Sequence, residues 1–298
     1  MIIILNVKNV ENIIEDIIKK IKKNIIKISN VMLCDNITEN EFKKMDLSNF
    51  YGQVKKDGEH LIIIKKGKEV YMYNRRGKEK SNVYIEIKEE VSKVLRFLDI
   101  DFMIVGEMCS FDDNFNNFQH RSNLQNPIEI EKRRKEIPCV AWLFDILEFQ
   151  GKNLTHLPLI QRKIMLEYFR GLEHIQVLNY FETPQEIGGL WKWVKENNKE
   201  GIILKLKTSP YTFSRSKSWI KLKNWKEIEI SFGRYEENPA GVKLINQEVE
   251  VQVQRDSSDR IERIKEKIDR GEKVKILVQY LEKTKAGKLR FPSCRSIL

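Results

Sequence analysis

The residues best suited to chemistry are Lys55-Lys56-Asp57-Gly58, which follow one strand-like run and precede another. A lysine that ends a strand beside an Asp-Gly turn projects its amine into an adjoining pocket. Neighbouring positive charge or a metal there lowers the amine pKa and leaves a nucleophile. Asp57 would orient that amine or a metal-bound water, and Gly58 permits the tight turn. Taken alone, the four residues read better as a hairpin turn with exposed charges, because lysine is abundant in this chain. Other blocks follow in order: Asn74-Arg75-Arg76-Gly77-Lys78, Val105-Gly106-Glu107, Leu143-Phe144-Asp145-Ile146-Leu147, Glu200 to Lys205, and Trp219-Ile220-Lys221-Leu222-Lys223. Lys221 and Lys223 stand at i and i+2 and so share one face of a strand. The plainer alternative is the polar face of an amphipathic strand.

Elements that would position these residues alternate in type. Val10, Ile13, Ile14, Ile17, Ile18, Ile21 and Ile25 fall at helical spacing. The lysines between them would touch phosphates or form the solvated face of a packed helix. From Phe50 to Tyr73, YGQVKK, HLIIIKK and EVYMYN read as antiparallel strands joined by turns. Helical spacing returns through Ile87, Val91, Val94, Leu95 and Leu98. DFMIVGEMCSF and PCVAWLFDILEF read as buried strands, with a helix at NPIEIEKRRKEI between them and another from Pro158. Thr183-Pro184-Gln185-Glu186 is a helix start with a cap and a returning glutamate. EGIILKLK and SWIKLK are strand-like again. After Trp225 the chain turns to short strands with one helical insert, DSSDRIERIKEKIDRG, which suits a small β-barrel of the OB type. The polar segment Asp112 to Asn126 reads as a loop, either facing nucleic acid or simply solvated.

Composition bounds the partners. The 298 residues suffice for two domains, and 41% hydrophobic with 33% charged residues is a soluble globular balance. The net charge of +11 points to a polyanion, with nucleic acid ahead of an anionic membrane, or to a charged surface with no dedicated partner. Cys34, Cys109, Cys139 and Cys294 form no CxxC pair, and His60, His120, His156 and His174 show no ligand spacing. A reducing intracellular compartment is expected. The apolar start is too short for a signal peptide, and no apolar run reaches the roughly 18 residues of a membrane span.

The order and spacing of the six blocks resemble those of the covalent nucleotidyltransferase superfamily: ATP-dependent DNA ligases, RNA ligases and mRNA-capping enzymes. The resemblance spans roughly Val31 to Pro292. The DNA ligase branch is favoured by Val31-Met32-Leu33 ahead of the lysine. It is favoured also by Phe144 to Leu147 followed by Leu154, Pro158-Leu159 and Arg162, and by Tyr211, Ser214-Arg215-Ser216 and Trp219. The run Tyr280 to Pro292, YLEKTKAGKLRFP, is very like the closing strand and turn of a DNA ligase OB domain.

The resemblance implies an α+β fold: an adenylyltransferase domain with antiparallel β-sheets and flanking helices over 1–225, then an OB-fold β-barrel domain over 226–298. It implies a minimal two-domain DNA ligase that seals nicks in duplex DNA with ATP, as a monomer inside the cell and away from membranes. Lys55 would attack the α-phosphate and carry AMP to a nick 5′-phosphate, with Asp57 beside it. Lys205, Lys221 and Lys223 would neutralise phosphoryl oxygens. Gln53 and Val54 would line the nucleotide site, and Phe144 would stack on adenine. Arg75 would hold ribose or the nick 5′-phosphate, and Arg215 a phosphate. Glu107 would contact the ribose and, with Glu200, hold Mg²⁺ or Mn²⁺.

The sequence departs from the family pattern at four places. Gln53 stands where DNA ligases carry an acid that accepts from the adenine amino group, and its amide oxygen would do the same. His60 replaces an arginine and Asn74 a serine. The R-x-D-K run that binds pyrophosphate has no counterpart in the sequence, which bears on enzyme adenylylation. The alternatives are an RNA ligase, a capping guanylyltransferase, and a non-catalytic nucleic-acid-binding relative of the same fold.

Overall fold

The computed structural model describes residues 31–94, 100–254, 258–284 and 287–298. The amphipathic N-terminal pattern and its lysines lie outside the described residues. So do Leu95 and Leu98, the start of the 256–271 insert, and Lys285-Ala286. The chain divides into two compact units, the second made of Lys223–Leu298 with Trp193–Glu200.

In the first unit a four-stranded sheet has the order β1 (Leu33–Ile37), β10 (Arg215–Lys223), β9 (Gly201–Leu206), β2 (Phe50–Val54). β1 runs parallel to β10, and β2 antiparallel to β9. A second sheet has the order β4 (Glu69–Asn74), β3 (Glu59–Lys66), β5 (Phe102–Ser110), β6 (Cys139–Phe149), β7 (Lys152–Asn153), with β8 (Ile175–Val177) alongside β6. The helices are α1 (Glu39–Lys44), α2 (Ile85–Val94), α3 (Phe115–Ser122), α4 (Pro127–Glu136), α5 (Leu159–Leu166) and α6 (Pro184–Glu196). The expected cap at α6 is present: Glu186 N–H donates to Thr183 Oγ1 and Thr183 N–H to the Glu186 carboxylate.

Strand β3 shows why its sequence, HLIIIKK, is continuously apolar. Successive side chains point to opposite faces. Leu61 and Ile63 enter one core with Met72, Ile104, Leu143 and Val177. Ile62 and Ile64 enter another with Val31, Met32, Val105, Leu147, Tyr211 and Trp219. The sheet is buried on both faces.

Two sequence expectations are corrected. YGQVKK does not form a hairpin with HLIIIKK: β2 pairs with β9 in one sheet and β3 with β4 and β5 in the other. The segment Asp112 to Asn126 is not a plain loop, because residues 115–122 form α3. Asn114 caps it, accepting from the Asn116 and Asn117 N–H groups at 3.0 and 3.2 Å. Phe118 and Arg121 on its inner face are buried, and Arg121 reaches Glu86 at 2.9 Å. Polar composition concealed a helix whose anchor is an ion pair.

The second unit holds β11 (Lys226–Phe232), β12 (Arg234–Asn238), β13 (Gly241–Ile245), β14 (Glu250–Gln254), α7 (Ser258–Asp269), β15 (Val274–Tyr280), the pair β16 (Glu282–Lys283) and β17 (Leu289–Arg290), and β18 (Ser293–Ile297). Its six-stranded order is β11-β15-β18-β14-β13-β12. The two outer strands are consecutive in sequence, joined through Gly233, so a single bent strand closes the ring. Phe232, Leu244, Val251, Ile264, Ile276 and Val278 fill the core. This is the OB-type barrel expected from the texture after Trp225, and the whole is α+β as expected.

Candidate active site

Lys55 lies where the chain crosses from one sheet to the other. Its backbone N–H donates to Gly201 O at 2.9 Å, extending the β2–β9 ladder by one residue. Lys56, Asp57 and Gly58 then carry the chain to β3. A Cβ on Gly58 would stand 1.9 Å from Met108 O, so only glycine fits this crossing. Lys56 is engaged elsewhere, with its Nζ 3.1 Å from Asp113 and 3.9 Å over the Trp142 ring. The two adjacent lysines thus take different surroundings.

A cluster of cations surrounds Cys34 on β1. Burial pushes the Cys34 thiol pKa up, while Lys205, Lys221, Lys55 and Arg215 oppose that shift in descending order. The topology explains the convergence. Lys221 on β10 lies beside Asn36 of β1, Arg215 beside Leu33, and Lys205 on β9 opposite Tyr51 of β2. The Arg215 guanidinium donates to Cys34 O at 2.5 Å. Four of the basic residues singled out in the sequence therefore meet in the first unit.

Lys205 is fully buried. Its Nζ donates to Phe144 O at 2.9 Å and lies 4.4 Å from the Phe144 ring centre and 4.0 Å from that of Trp219. Burial lowers its pKa to about 7, although Asp145 and Cys34 pull upward. A β-bulge creates this arrangement: Val105 pairs with Asp145 and Gly106 with Leu143, which leaves Phe144 as the extra residue. Its carbonyl accepts from Lys205 and, at 3.1 Å, from the Tyr180 hydroxyl. A Cβ on Gly106 would come within 2.7 Å of Trp142 O, so glycine allows the strands to close beside the bulge.

Several buried polar atoms on this face lack partners. Gln53 is 1% exposed; its Nε2 donates to Leu178 O at 3.4 Å, and its Oε1 accepts nothing. Neither ring nitrogen of His60 is hydrogen-bonded, nor is Trp219 Nε1. The His60 ring meets Phe144 edge-on at 5.7 Å. Burial, aided by the positive field of Arg75, lowers its pKa to about 4, so the imidazole is neutral at pH 7. Unpaired buried polar atoms are costly, and their clustering marks a place for a polar ligand.

The remaining residues fall as follows. Val54 ends β2, half-buried, next to Lys55. Glu107 on β5 is half-buried and sits opposite His60 on one side and Trp142 on the other. Arg75 is exposed on the turn after β4, where Asn74 Oδ1 accepts from the Arg76 and Lys78 N–H groups. Glu200 and Lys223 belong to the second unit and pair with each other at 3.9 Å. Lys223 Nζ also lies 4.9 Å over the Trp225 ring. No group of three or more His, Cys, Asp or Glu side chains with metal-holding geometry occurs among the described residues. Glu107 belongs to the first unit and Glu200 to the second.

Sequence reasoning gave no role to Tyr180, whose hydroxyl shares the Phe144 carbonyl with Lys205, or to Cys34 among the cations. Trp219, named there as the start of the block that ends in Lys223, proves to lie over the Lys205 amine.

The family model for the ATP dependent DNA ligase domain matches residues 31–223. DNA ligase 1 of Methanosarcina mazei is 28% identical over 195 residues, covering 61% of this chain and 33% of that protein. The SPbeta prophage-derived DNA ligase-like protein LigB of Bacillus subtilis is 25% identical over 262 residues, covering 83% of this chain and 92% of that protein. The chain thus spans about a third of the archaeal relative and nearly all of the prophage one. The ligase domain of M. tuberculosis LigD has the same fold, with a TM-score of 0.57 at 19% identity over 91% of this chain and 95% of that one. Among the described residues no helix is long and apolar enough to cross a membrane.

Proposed function

The chain belongs to the ATP-dependent DNA ligase family, and on that premise we propose that it seals nicks in duplex DNA through a lysyl-AMP intermediate on Lys55. The observation that carries this reading is the convergence of Lys55, Lys205, Lys221 and Arg215 around Cys34. Beside it lie the unpartnered Gln53 Oε1 and His60 nitrogens.

In the first step Lys55 Nζ forms a bond to the α-phosphorus of ATP, the bond to the β-phosphate oxygen breaks, and pyrophosphate leaves. In the second, AMP passes from Lys55 to the 5′-phosphate at the nick. In the third, the 3′-hydroxyl displaces AMP and closes the strand. Negative charge builds on phosphoryl oxygens each time, and Lys205, Lys221, Lys223 and Arg215 answer it. Gln53 Oε1 accepts from the adenine amino group while its Nε2 stays anchored on Leu178 O. Phe144 stacks on the base, Val54 lines the site, and Asp57 orients the Lys55 amine. Glu107 holds the ribose, and Arg75 holds ribose or the nick 5′-phosphate. Glu107 and Glu200 would hold Mg²⁺ or Mn²⁺, which supplies positive charge to the phosphates. The functional domains are 1–225 and 226–298, and the protein acts as a monomer inside the cell. The surplus of +11 supports a sequence-independent grip on the DNA phosphates.

The test is sealing of a singly nicked duplex bearing a labelled 5′-phosphate, with ATP and Mg²⁺, beside the same nick in RNA. Joining of the DNA strand is expected. Joining of the RNA alone would move the assignment to the RNA ligases. Failure on both, with duplex binding intact, would favour a binding-only relative.

A further inference from the structure

Glu59 follows directly on the Lys55–Gly58 crossing, yet its side chain points away from the cation cluster. Alternation along β3 places Glu59 with Leu61 on the face opposite His60. Its carboxylate accepts from Asn74 Nδ2 at 2.8 Å and from the Tyr84 hydroxyl at 2.9 Å, and lies 3.3 Å from Lys80 Nζ. Lys80 in turn donates to Ser122 O at 2.8 Å. Asn74, Lys80 and Tyr84 are all buried.

The bond from Asn74 Nδ2 to Glu59 fixes which way the amide faces. Its Oδ1 is thereby turned into the following bend, accepting from Arg76 N–H at 3.0 Å and Lys78 N–H at 2.9 Å. Backbone bonds close the same bend: Asn74 N–H to Lys78 O and Gly77 N–H to Asn74 O, both 2.9 Å. Gly77 sits at φ 75°, where glycine is favoured. Arg75, Arg76 and Lys78 are the exposed basic residues of this bend, and Arg75 is the one whose charge reaches the buried His60 ring.

We propose that Glu59 and Asn74 are positioning residues: the Glu59 carboxylate locks the Asn74 amide, and the locked amide fixes the bend that presents Arg75 to the nick 5′-phosphate. The inference rests on the nick-sealing reading. An exposed arginine loses its long side-chain entropy at each encounter, and a bend fixed on both sides reduces what must be ordered. A serine at position 74 has a shorter side chain with one oxygen, so a single atom would have to serve both the carboxylate and the bend.

The test measures binding of the full chain to a nicked duplex with a 5′-phosphate and to the same duplex with a 5′-hydroxyl. The preference for phosphate is the readout. Arg75→Ala should abolish it. Asn74→Ala and Glu59→Gln should each lower it about tenfold, the worth of one charge-assisted contact. The double variant Glu59→Gln with Asn74→Asp restores a donor–acceptor pair with the roles exchanged, and should recover most of the preference. That rescue separates positioning from general damage to the fold, and the circular dichroism spectrum and thermal midpoint of each variant report that it is folded. Full preference in Asn74→Ala, or a double variant no better than the singles, would overturn the proposal. Full preference in Arg75→Ala would overturn it at its endpoint. A wild-type protein indifferent to the 5′-phosphate would overturn the nick reading itself, visibly before any substitution is made.

Discussion

Two fully buried cations, Arg162 and Lys205, stand on either side of Asp145 and Phe144 in strand β6, and their surroundings differ in kind. Arg162 makes a two-point ion pair with Asp145, Nε to Oδ1 and Nη2 to Oδ2, both 2.8 Å. It also donates to Ser209 O at 3.0 Å and to Leu157 O. Lys205 donates to one carbonyl, with aromatic rings over the rest, and burial brings its pKa to about 7. The first charge is saturated by the protein. The second is held at a cost that an incoming anion would relieve. Structure and chemistry are thus separated at neighbouring residues of one strand.

Substitutions can break this contrast. Arg162→Met leaves the Asp145 carboxylate buried without its partner, and should lower unfolding free energy in urea by about 3–5 kcal/mol. Lys205→Met replaces a poorly satisfied charge with an apolar chain of similar length. It should leave stability unchanged or raised while nick sealing falls about 10²- to 10³-fold, the effect of removing one preorganised charge. If Lys205→Met unfolds the protein as Arg162→Met does, the contrast fails.

Proton linkage sharpens it further. His60 titrates at about 4 in the folded chain against 6.5 unfolded. Between those values the unfolded state binds more protons, so stability rises with pH across this window. Acidification from pH 6.5 to 4 should therefore destabilise the wild type by an increment of order 2 kcal/mol that His60→Phe lacks, read by denaturant titration at each pH. The Lys205 signal is the hardest to isolate, because tyrosines and other lysines titrate in the same range. Its folded pKa of about 7 lies below the ordinary 10.5. Stability should rise from pH 7 towards pH 10, and less steeply in Lys205→Met.

Much of this contrast was legible in the sequence. The continuous apolar runs of β3, β5 and β6 announce a sheet buried on both faces. The Thr183–Glu186 start of α6 is a local signal that local bonds satisfy. The spacing of Lys55, Lys205, Lys221 and Arg215 carried the family resemblance, and the sheet brings those four together. What stayed hidden is non-local. Nothing in YGQVKK tells that its partner is Gly201–Leu206 and not the next strand. The enclosure of Lys205 depends on a bulge, and a bulge is a property of pairing, not of Phe144 itself. The α3 helix is written in asparagines that cap in one place and would turn in another, and the distant Glu86 decides between them. Glu59 and Asn74 are fifteen residues apart and meet only because β3 and β4 pair.

The most direct test of the account is covalent labelling. The protein is incubated with α-³²P-ATP and Mg²⁺, denatured, and examined for label on the polypeptide, with Lys55→Ala and Lys56→Ala beside it. Acid-labile label on the wild type and on Lys56→Ala, and none on Lys55→Ala, is the predicted result. Label that persists in Lys55→Ala, or that disappears only with Lys56→Ala, would contradict the assignment of Lys55 as the nucleophile.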